Sequence, residues 1–276
     1  MLIKELEAAT ILARRAGGMI MSISGRQRTR TKAGGSPVTT ADRVANRMIV
    51  RGLRKQFPGD GVLSEETRDG AARLEHARVW IVDPLDGTRE YMLGISEFCV
   101  MIGLAVEGEP VLGVVYNPAT DTLYTGMLGG EAMVEQGTER RPLRVPELAG
   151  SEIRLVGSRS HADPRLLRIQ RELAIAQVRV AGSVGVKCAL IAQGECDLYV
   201  HPVAYLSEWD TCAPEAVLRA AGGAVTDCAG ERLQYNKPVP VQPRGILATT
   251  AALHPHVLPV VSRAFDGVPV PGAGVA

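Results

Sequence analysis

The sequence predicts a fold of mixed α and β structure: an α+β N-terminal half built on an antiparallel sheet, followed by an α/β C-terminal half. Three observations support this prediction. The chain has 276 residues, which is more than one minimal domain needs. Helical hydrophobic spacing gives way to short β-rich runs near residue 62, and strand and helix patterns alternate after about residue 150. We therefore expect two domains, residues 1–150 and 151–276.

The N-terminal part of the chain has the spacing of helices. Apolar residues recur every three or four positions over residues 2–22, which predicts an amphipathic helix that the pair Gly17-Gly18 ends or interrupts. A second helix is predicted to begin with Thr39 or Thr40 as its cap and to stop at Pro58-Gly59. Both helices therefore precede the first strand.

Short β-rich runs follow the two helices, and turn residues separate them. The segments Gly108-Glu109-Pro110 and Asn117-Pro118 predict antiparallel hairpins. In the second half, similar runs alternate with helical spacing. The predicted strands are 62–64, 79–82, 98–106, 111–116, 122–125, 153–156, 178–181, 198–200, 224–226 and 246–249, and the predicted helices of the second half are 164–174, 187–193, 213–221 and one at the C-terminal end.

Composition and charge exclude several classes of protein. With 46% hydrophobic residues and a formal charge of +1, the chain has a globular profile and lacks the basic face that binds nucleic-acid polymers. The longest apolar run, residues 98–106, is shorter than the roughly 20 residues of a membrane span. No export signal is visible, and five widely spaced cysteines form no C-x-x-C pair. We expect a cytoplasmic protein with a small-molecule partner.

Two carboxylates follow directly after an apolar strand, in the segment Trp80-Ile-Val-Asp83-Pro-Leu-Asp86-Gly-Thr88. The proline restricts the backbone, and the glycine lets a ligand approach it closely. Asp83, the carbonyl of Leu85 and Asp86 can therefore converge on one cation. The alternative, which the local residues leave open, is an Asp-Pro turn followed by an Asp-Gly hairpin.

Two further acids stand at the ends of predicted elements. Glu65 follows a second apolar strand, and Asp210 lies beside a predicted helix whose first turn favours a carboxylate. Brought together with Asp83 and Asp86, they would repel one another unless divalent cations lay between them. Oxygen ligands favour hard ions such as Mg²⁺, Mn²⁺ or Ca²⁺ over Zn²⁺. Taken singly, Asp210 can instead be a helix cap, and Glu65 a solvated strand end.

Three motifs of this chain resemble the signatures of the lithium-sensitive, Mg²⁺-dependent phosphatases typified by inositol monophosphatase. They are D-P-L-D-G-T at 83–88, S-E-E at 64–66 and W-D-T-C-A-P-E at 209–215, and their order and spacing match from about residue 5 to 255. The resemblance implies a layered α-β-α-β-α fold. It also implies a site of two or three Mg²⁺, for which Mn²⁺ may substitute. The implied metal ligands are Glu65, Asp83, the Leu85 carbonyl, Asp86 and Asp210, with Gly87 and Thr88 contacting the phosphate.

Within this family, the chain is most similar to the 3'(2'),5'-bisphosphate nucleotidases, which remove the 3'-phosphate of adenosine 3',5'-bisphosphate. The segments S-P-V-T-T-A-D at 36–42 and S-R-S-H at 158–161 carry this likeness. It implies a pair between Asp42 and Thr88. The nucleotide contacts that it implies are Ser158, His161, Ser183 and Lys187. The chain departs from the family in one place: G-S-V-G-V-K stands at 182–187 where some relatives have G-G-A-G-N-K, so Ser183 stands at a position that is glycine in those relatives.

The resemblance predicts hydrolysis by a water molecule that the metal ions activate. Glu65 and the Thr88 hydroxyl, oriented by Asp42, would position that water. Within the same fold the alternatives are an inositol monophosphatase or a fructose-1,6-bisphosphatase, and from another class a noncatalytic nucleotide or metal sensor. Lys187 can instead be a surface lysine, and His161 a turn or cap residue. A monomer or a homodimer is expected.

Overall fold

The computed structural model describes residues 2–23, 29–31, 37–146, 152–159, 163–202 and 206–265. These residues form seven α-helices and sixteen strands. The helices are α1 (Ile3–Ile23), α2 (Thr40–Gln56), α3 (Thr88–Met92), α4 (Pro164–Glu172), α5 (Val184–Ala192), α6 (Glu208–Ala220) and α7 (His254–Phe265), and a short 3₁₀ helix spans Ala71–Glu75. None of the helices in this part of the chain is both long enough and apolar enough to cross a bilayer.

The larger of the two main sheets has seven strands in the order of the sequence. They are β3 (Gly61–Ser64), β4 (Arg78–Asp86), β5 (Cys99–Val106), β6 (Glu109–Asn117), β7 (Thr122–Met127), β8 (Met133–Gln136) and β9 (Glu139–Pro142), and they follow β1 (Thr29–Thr31) and β2 (Pro37–Thr39), which pair with each other. β3 and β4 are parallel, whereas every later neighbour pair in the sheet is antiparallel. The predicted antiparallel sheet is therefore confirmed, with a parallel strand at one edge.

The second main sheet has five strands in the order β11-β10-β12-β16-β14. Their bounds are β10 (Arg154–Ser158), β11 (Gln177–Ala181), β12 (Leu198–His201), β14 (Gly223–Thr226) and β16 (Ile246–Thr250), and a separate pair joins β13 (Leu206–Ser207) to β15 (Val241–Gln242). β10 is parallel to β11 and β12, whereas β16 is antiparallel to its two neighbours. The sheet is therefore a mixed one, as alternating strands and helices favour.

The two sheets and the helices stack in five layers. Helices α1 and α2 cover one face of the larger sheet, α5 and α6 lie between the sheets, and α4 and α7 cover the outer face of the smaller sheet. Three hydrophobic clusters fill the interfaces between layers. Ile49 and Trp80 are buried in the first, Met101 and Tyr199 in the second, and Val257 in the third. This arrangement confirms the expected α-β-α-β-α fold.

A row of glycines seats helix α6 on the larger sheet. Gly103, Gly113 and Gly126 pair with one another across strands β5, β6 and β7. A Cβ atom at Gly103 would lie 2.5 Å from the sulfur of Cys212, and one at Gly113 would overlap the carbonyl oxygen of Ala213. Because glycine has no side chain, the helix backbone approaches the strands closely along this row.

Helices α1 and α6 differ most from their predicted bounds, and α5 begins at Val184 instead of residue 187. α1 continues through Gly17-Gly18 instead of ending there, and a Cβ at Gly17 would lie 2.5 Å from the ring of Tyr116, so the glycine serves close packing. α6 begins at Glu208 instead of Ala213, because Ser207 and Asp210 form a capping box at its start.

Strands β8 and β9 were not predicted. β8 has two adjacent apolar residues followed by two polar ones, and β9 is exposed and mostly charged, so neither has an alternating pattern to recognise. The short strands β1, β2, β13 and β15 were not predicted either. Because β1 and β2 lie between α1 and α2, the expectation that both helices precede the first strand is wrong. The expected domain boundary at residue 150 falls among residues 147–151, outside the described residues. The division into domains 1–150 and 151–276 therefore stays a prediction.

Candidate metal and phosphate site

Strand β4 delivers two carboxylates to the end of the larger sheet. Its residues up to Val82 are buried between layers, and its pairing with β5 shifts register between Asp83 and Asp86. The Asp83 side chain is only 2% exposed, and its Oδ1 accepts a hydrogen bond of 2.9 Å from the backbone N–H of Leu85. The irregular strand end therefore turns both acids toward one place.

Helix α6 adds a third carboxylate to the same place. Asp210 is the third residue of the helix, and its Oδ2 accepts a hydrogen bond of 2.6 Å from the backbone N–H of Ser207. One oxygen each from Asp83, Asp86 and Asp210 lies within 4.8 Å of the other two. The chain thus joins residues from its two halves into a single acidic cluster.

Glu65 lies beside this cluster, directly after the neighbouring strand β3. It follows β3, and its backbone N–H donates to the carbonyl of Val82 at 3.2 Å, so it lies beside the end of β4. Burial raises the pKa of Asp83 well above its usual value, and the charges of Glu65, Asp86 and Asp210 raise it further. The contribution of these charges has the sign of repulsion between neighbouring carboxylates, which a cation placed among them would relieve.

The donor set fits a hard divalent cation. All three clustered side chains are carboxylates, which suit Mg²⁺, Mn²⁺ or Ca²⁺ better than softer metals. The carbonyl oxygen of Leu85, another predicted ligand, lies 3.0 Å from the hydroxyl of Thr88. It therefore belongs to the same turn as Asp83 and Asp86.

Asp42 and Thr88 meet beside the acidic cluster. Asp42 is the third residue of α2, where its Oδ2 accepts hydrogen bonds from the backbone N–H and the hydroxyl of Thr39. Its Oδ1 accepts a hydrogen bond of 3.0 Å from the hydroxyl of Thr88. Thr39, one of the two expected caps, thus caps α2 and leaves the second oxygen of Asp42 for Thr88.

Gly87 precedes Thr88 in a backbone conformation that favours glycine. Its φ is +88°, and a Cβ there would lie 2.7 Å from the carbonyl oxygen of Glu97. Helix α3 begins directly afterwards, so the first N–H groups of that helix lie next to the carboxylate turn. This is where phosphate contacts at Gly87 and Thr88 are expected.

The predicted nucleotide contacts Ser183 and Lys187 lie at the start of α5, and both are buried. The hydroxyl of Ser183 donates to Oδ2 of Asp86 at 2.5 Å. The ammonium of Lys187 lies 3.4 Å from the carbonyl of Ala181 and 5.1 Å from the ring centre of Tyr199. Burial lowers the pKa of Lys187, and the charge of Asp86 opposes that change. Lys187 is therefore an interior cation and not a surface lysine.

Ser158 stands at the end of β10, and His161 lies outside the described residues. Arg159, the residue after Ser158, is connected to the start of α5 through Glu97. Arg159 pairs with Oε2 of Glu97 at 2.7 Å, and the same oxygen accepts a 2.7 Å hydrogen bond from the backbone N–H of Gly182. Although burial acts to raise the pKa of Glu97, these two donors hold it below its usual value.

Sequence reasoning missed Glu97 and Arg159. Neither residue stands in a pattern with other acids or at the end of an apolar strand run, so no local signal marked it. The one available sign was the position of Arg159 inside the S-R-S-H segment at 158–161. In the structure Glu97 accepts a hydrogen bond from the backbone just before α5, and Arg159 pairs with Glu97.

Comparisons with known proteins agree with this geometry. The model of the inositol monophosphatase family matches residues 2–264. The 3'(2'),5'-bisphosphate nucleotidase CysQ of Escherichia coli (strain K12) is 38% identical over 234 residues, which cover 83% of this chain and 93% of that protein. A 3'-phosphoadenosine 5'-phosphate phosphatase of Mycobacterium bovis is 35% identical over 239 residues, which cover 81% of each protein.

A solved structure extends the likeness to three dimensions. CysQ from Bacteroides thetaiotaomicron, described as a bacterial member of the inositol monophosphatase family, superposes with a TM-score of 0.77 at 33% identity. The match covers 89% of this chain and 97% of that one. The family model spans nearly the whole chain, and both the identity and the layered fold agree with it. The chain belongs to the inositol monophosphatase family.

Proposed function

We propose that this chain is a Mg²⁺-dependent phosphoric monoester hydrolase that converts adenosine 3',5'-bisphosphate to AMP and phosphate. The observation that carries the chemistry is the convergence of Asp83, Asp86 and Asp210 within 4.8 Å beside the turn at Gly87. The names of relatives at 35% and 38% identity, which specify a 3'(2'),5'-bisphosphate and a 3'-phosphoadenosine 5'-phosphate, support the choice of substrate.

Metal ions supply the chemistry that a phosphate monoester needs. Two or three Mg²⁺, or Mn²⁺ in their place, would neutralise the ester oxygens and lower the pKa of water. Glu65, Asp83, the Leu85 carbonyl, Asp86 and Asp210 would hold them. The raised pKa of Asp83 supports this assignment, because an opposite charge beside the cluster relieves the repulsion among its acids.

The residues next to the cluster would position the attacking water and the phosphate. The Thr88 hydroxyl is fixed by Asp42 at 3.0 Å, and with Glu65 it would orient the water. The backbone N–H groups of Gly87 and Thr88 would bind phosphate oxygens at the turn into α3. These roles need only groups that the fold already holds in place.

The nucleotide would lie over the start of α5 and the end of β10. Ser158, His161 and Lys187 are its proposed contacts. Because Lys187 is buried, its charge would act on the second phosphate through the interior and not from an open surface. The resemblance implies the same role for Ser183, but the hydroxyl of Ser183 donates to Asp86.

We further propose a cytoplasmic location and a monomer or homodimer. All five cysteines are free thiols in the interior, which fits a reducing compartment.

A substrate panel tests the proposed function. Phosphate release from adenosine 3',5'-bisphosphate, inositol 1-phosphate and fructose 1,6-bisphosphate would be measured at saturating Mg²⁺. We expect the highest kcat/KM for the nucleotide. A preference for inositol 1-phosphate or fructose 1,6-bisphosphate would assign the chain to another phosphatase of the same fold. Nucleotide binding with no phosphate release would identify a noncatalytic sensor.

A further inference from the structure

Ser183 has a backbone conformation that serine rarely adopts. Its φ is 57° and its ψ is 135°, in a region that glycine occupies far more readily. Such strain persists where surrounding contacts hold it, and it is concentrated at functional sites. The strained conformation falls on Ser183 and not on the neighbouring Gly182, where it would cost less. A role for the Ser183 hydroxyl would explain why serine stands at this position.

The hydroxyl of Ser183 is held on both sides by groups inside the protein. It donates to Oδ2 of Asp86 at 2.5 Å and accepts from the backbone N–H of Val186 at 3.1 Å. The sulfur of Cys99 lies 3.1 Å from this hydroxyl and 4.0 Å from the same oxygen of Asp86. A hydroxyl has one donor, so the Ser183 hydroxyl has no second hydrogen to donate to a nucleotide.

The same oxygen of Asp86 receives a second donor from helix α5. The backbone N–H of Gly185 lies 3.1 Å from Oδ2 of Asp86. Two donors on one oxygen fix the plane of the carboxylate, and both come from the start of one helix. The other oxygen, Oδ1, takes part in neither of these bonds.

We propose that Ser183, together with the N–H of Gly185, is a positioning residue that holds Oδ2 of Asp86 so that Oδ1 faces the metal ion. The inference rests on the proposed function, because it takes Asp86 as a metal ligand. It assigns Ser183 to the metal side of the site and removes it from the nucleotide contacts. Partners that orient a metal ligand in this way typically change metal affinity 10- to 100-fold when they are removed.

The variants Ser183→Ala and Ser183→Gly separate this role from simple packing. Both variants remove the hydroxyl. Glycine also relieves the backbone strain at this position, so Ser183→Gly should remain folded even if Ser183→Ala does not. Thr250→Ala is the matched control. The Thr250 hydroxyl is also buried and accepts a 3.1 Å hydrogen bond from the backbone N–H three residues later, that of Leu253, in the turn between β16 and α7.

Mn²⁺ binding to the metal-free protein, followed by electron paramagnetic resonance without substrate, tests the proposal. We expect both Ser183 variants to bind Mn²⁺ at least tenfold more weakly, and Thr250→Ala to bind it like the wild type. At saturating Mg²⁺ the nucleotide KM should stay unchanged.

Wild-type Mn²⁺ affinity in the Ser183→Gly variant would overturn the role of Ser183 but not the proposed function. An increase in nucleotide KM without a loss of metal affinity would have the same consequence. If the wild type itself bound no Mn²⁺, the metal-dependent function would be overturned with it. The two failures are therefore distinguishable.

Discussion

The hydroxyl of Thr88 donates to Oδ1 of Asp42 at 3.0 Å, and this bond joins the start of α2 to the start of α3. The carbonyl of Leu85 lies at the same distance from that hydroxyl, but a single hydrogen serves one acceptor at a time. A carboxylate is the stronger acceptor. Asp42 therefore fixes the hydroxyl hydrogen, and the lone pairs of the Thr88 oxygen remain able to accept a hydrogen bond.

Replacing the Thr88 hydroxyl should reduce catalysis without unfolding the protein. The variant Thr88→Val keeps the side-chain shape but loses the group that Asp42 orients. We expect kcat to fall about 10²- to 10⁴-fold, the usual contribution of a positioned proton-transfer group. Phosphate release at saturating Mg²⁺ and nucleotide measures it. Thr226→Val, whose hydroxyl bonds to the backbone away from the site, is the control. An unchanged kcat in Thr88→Val would refute the proposed role.

Asp86→Asn should abolish Mg²⁺-dependent turnover. The amide has nearly the same volume as the carboxylate, but it loses the negative charge that a divalent cation requires. Phosphate release titrated with Mg²⁺ is the measurement, and circular dichroism should show an intact fold. Asp121→Asn changes an exposed acid that pairs with Arg14 and serves as the control. Activity of Asp86→Asn close to that of the wild type would show that Asp86 is not a metal ligand.

The pair between Glu97 and Arg159 should affect nucleotide binding more than chemistry. Glu97→Gln removes the charge that holds Arg159 beside Ser158, while its amide oxygen can still accept from Gly182. Ion pairs that are open to solvent contribute little, so we expect the nucleotide KM to rise by no more than about fivefold with kcat unchanged. Glu195→Gln, which breaks the exposed pair with Arg179, is matched to it. Equal KM values for the two variants would contradict the expectation.

Much of the fold and of the acidic cluster could be predicted, because the relevant signals are local. Asp83 and Asp86 directly follow an apolar strand, and the order of helices and strands follows from hydrophobic spacing. The layered arrangement was implied only by the resemblance to the phosphatase family. The bond from Ser183 to Asp86 could not be predicted in this way. It joins residues 97 positions apart and depends on the packing of α5 against the larger sheet.

The glycine row under α6 shows the same limit of local reasoning. Gly103, Gly113 and Gly126 are separated by different intervals in the sequence, and they line up only once the strand register is known. Their shared contact is with a helix that begins after residue 207, in the other half of the chain. A single residue thus carries no sign of its role until long-range pairing is fixed.

Gly113→Ala should therefore weaken both the fold and metal binding. The added methyl group meets the backbone of Ala213, so α6 must shift and take Asp210 with it. Overpacking of this kind costs about 1–3 kcal/mol of unfolding free energy. The matched control is Gly18→Ala, since nothing lies within 4 Å of a Cβ there and alanine favours the helix. Urea unfolding and Mn²⁺ titration measure the two effects. A Gly113→Ala protein as stable as the wild type would show that α6 does not pack tightly against this position.

Glu215 should give the protein a pH-dependent stability. Burial raises its pKa to about 7, although the bonds from Tyr235 and Arg219 act against that rise. A carboxyl with a raised folded pKa stabilises the fold fully below its unfolded pKa, near 4.5, and loses this contribution as the pH rises to about 7.

The variant Glu215→Gln should remove that pH dependence, because an amide does not titrate. Between pH 5 and pH 8, with EDTA present, the wild type should lose about 2 kcal/mol more unfolding free energy than the variant. All other titrating groups are shared by the two proteins, so the difference isolates Glu215. Urea unfolding at both pH values measures it, and the exposed Glu231→Gln should follow the wild type. Parallel profiles for Glu215→Gln and the wild type would show that Glu215 is already ionised in the folded protein at pH 5.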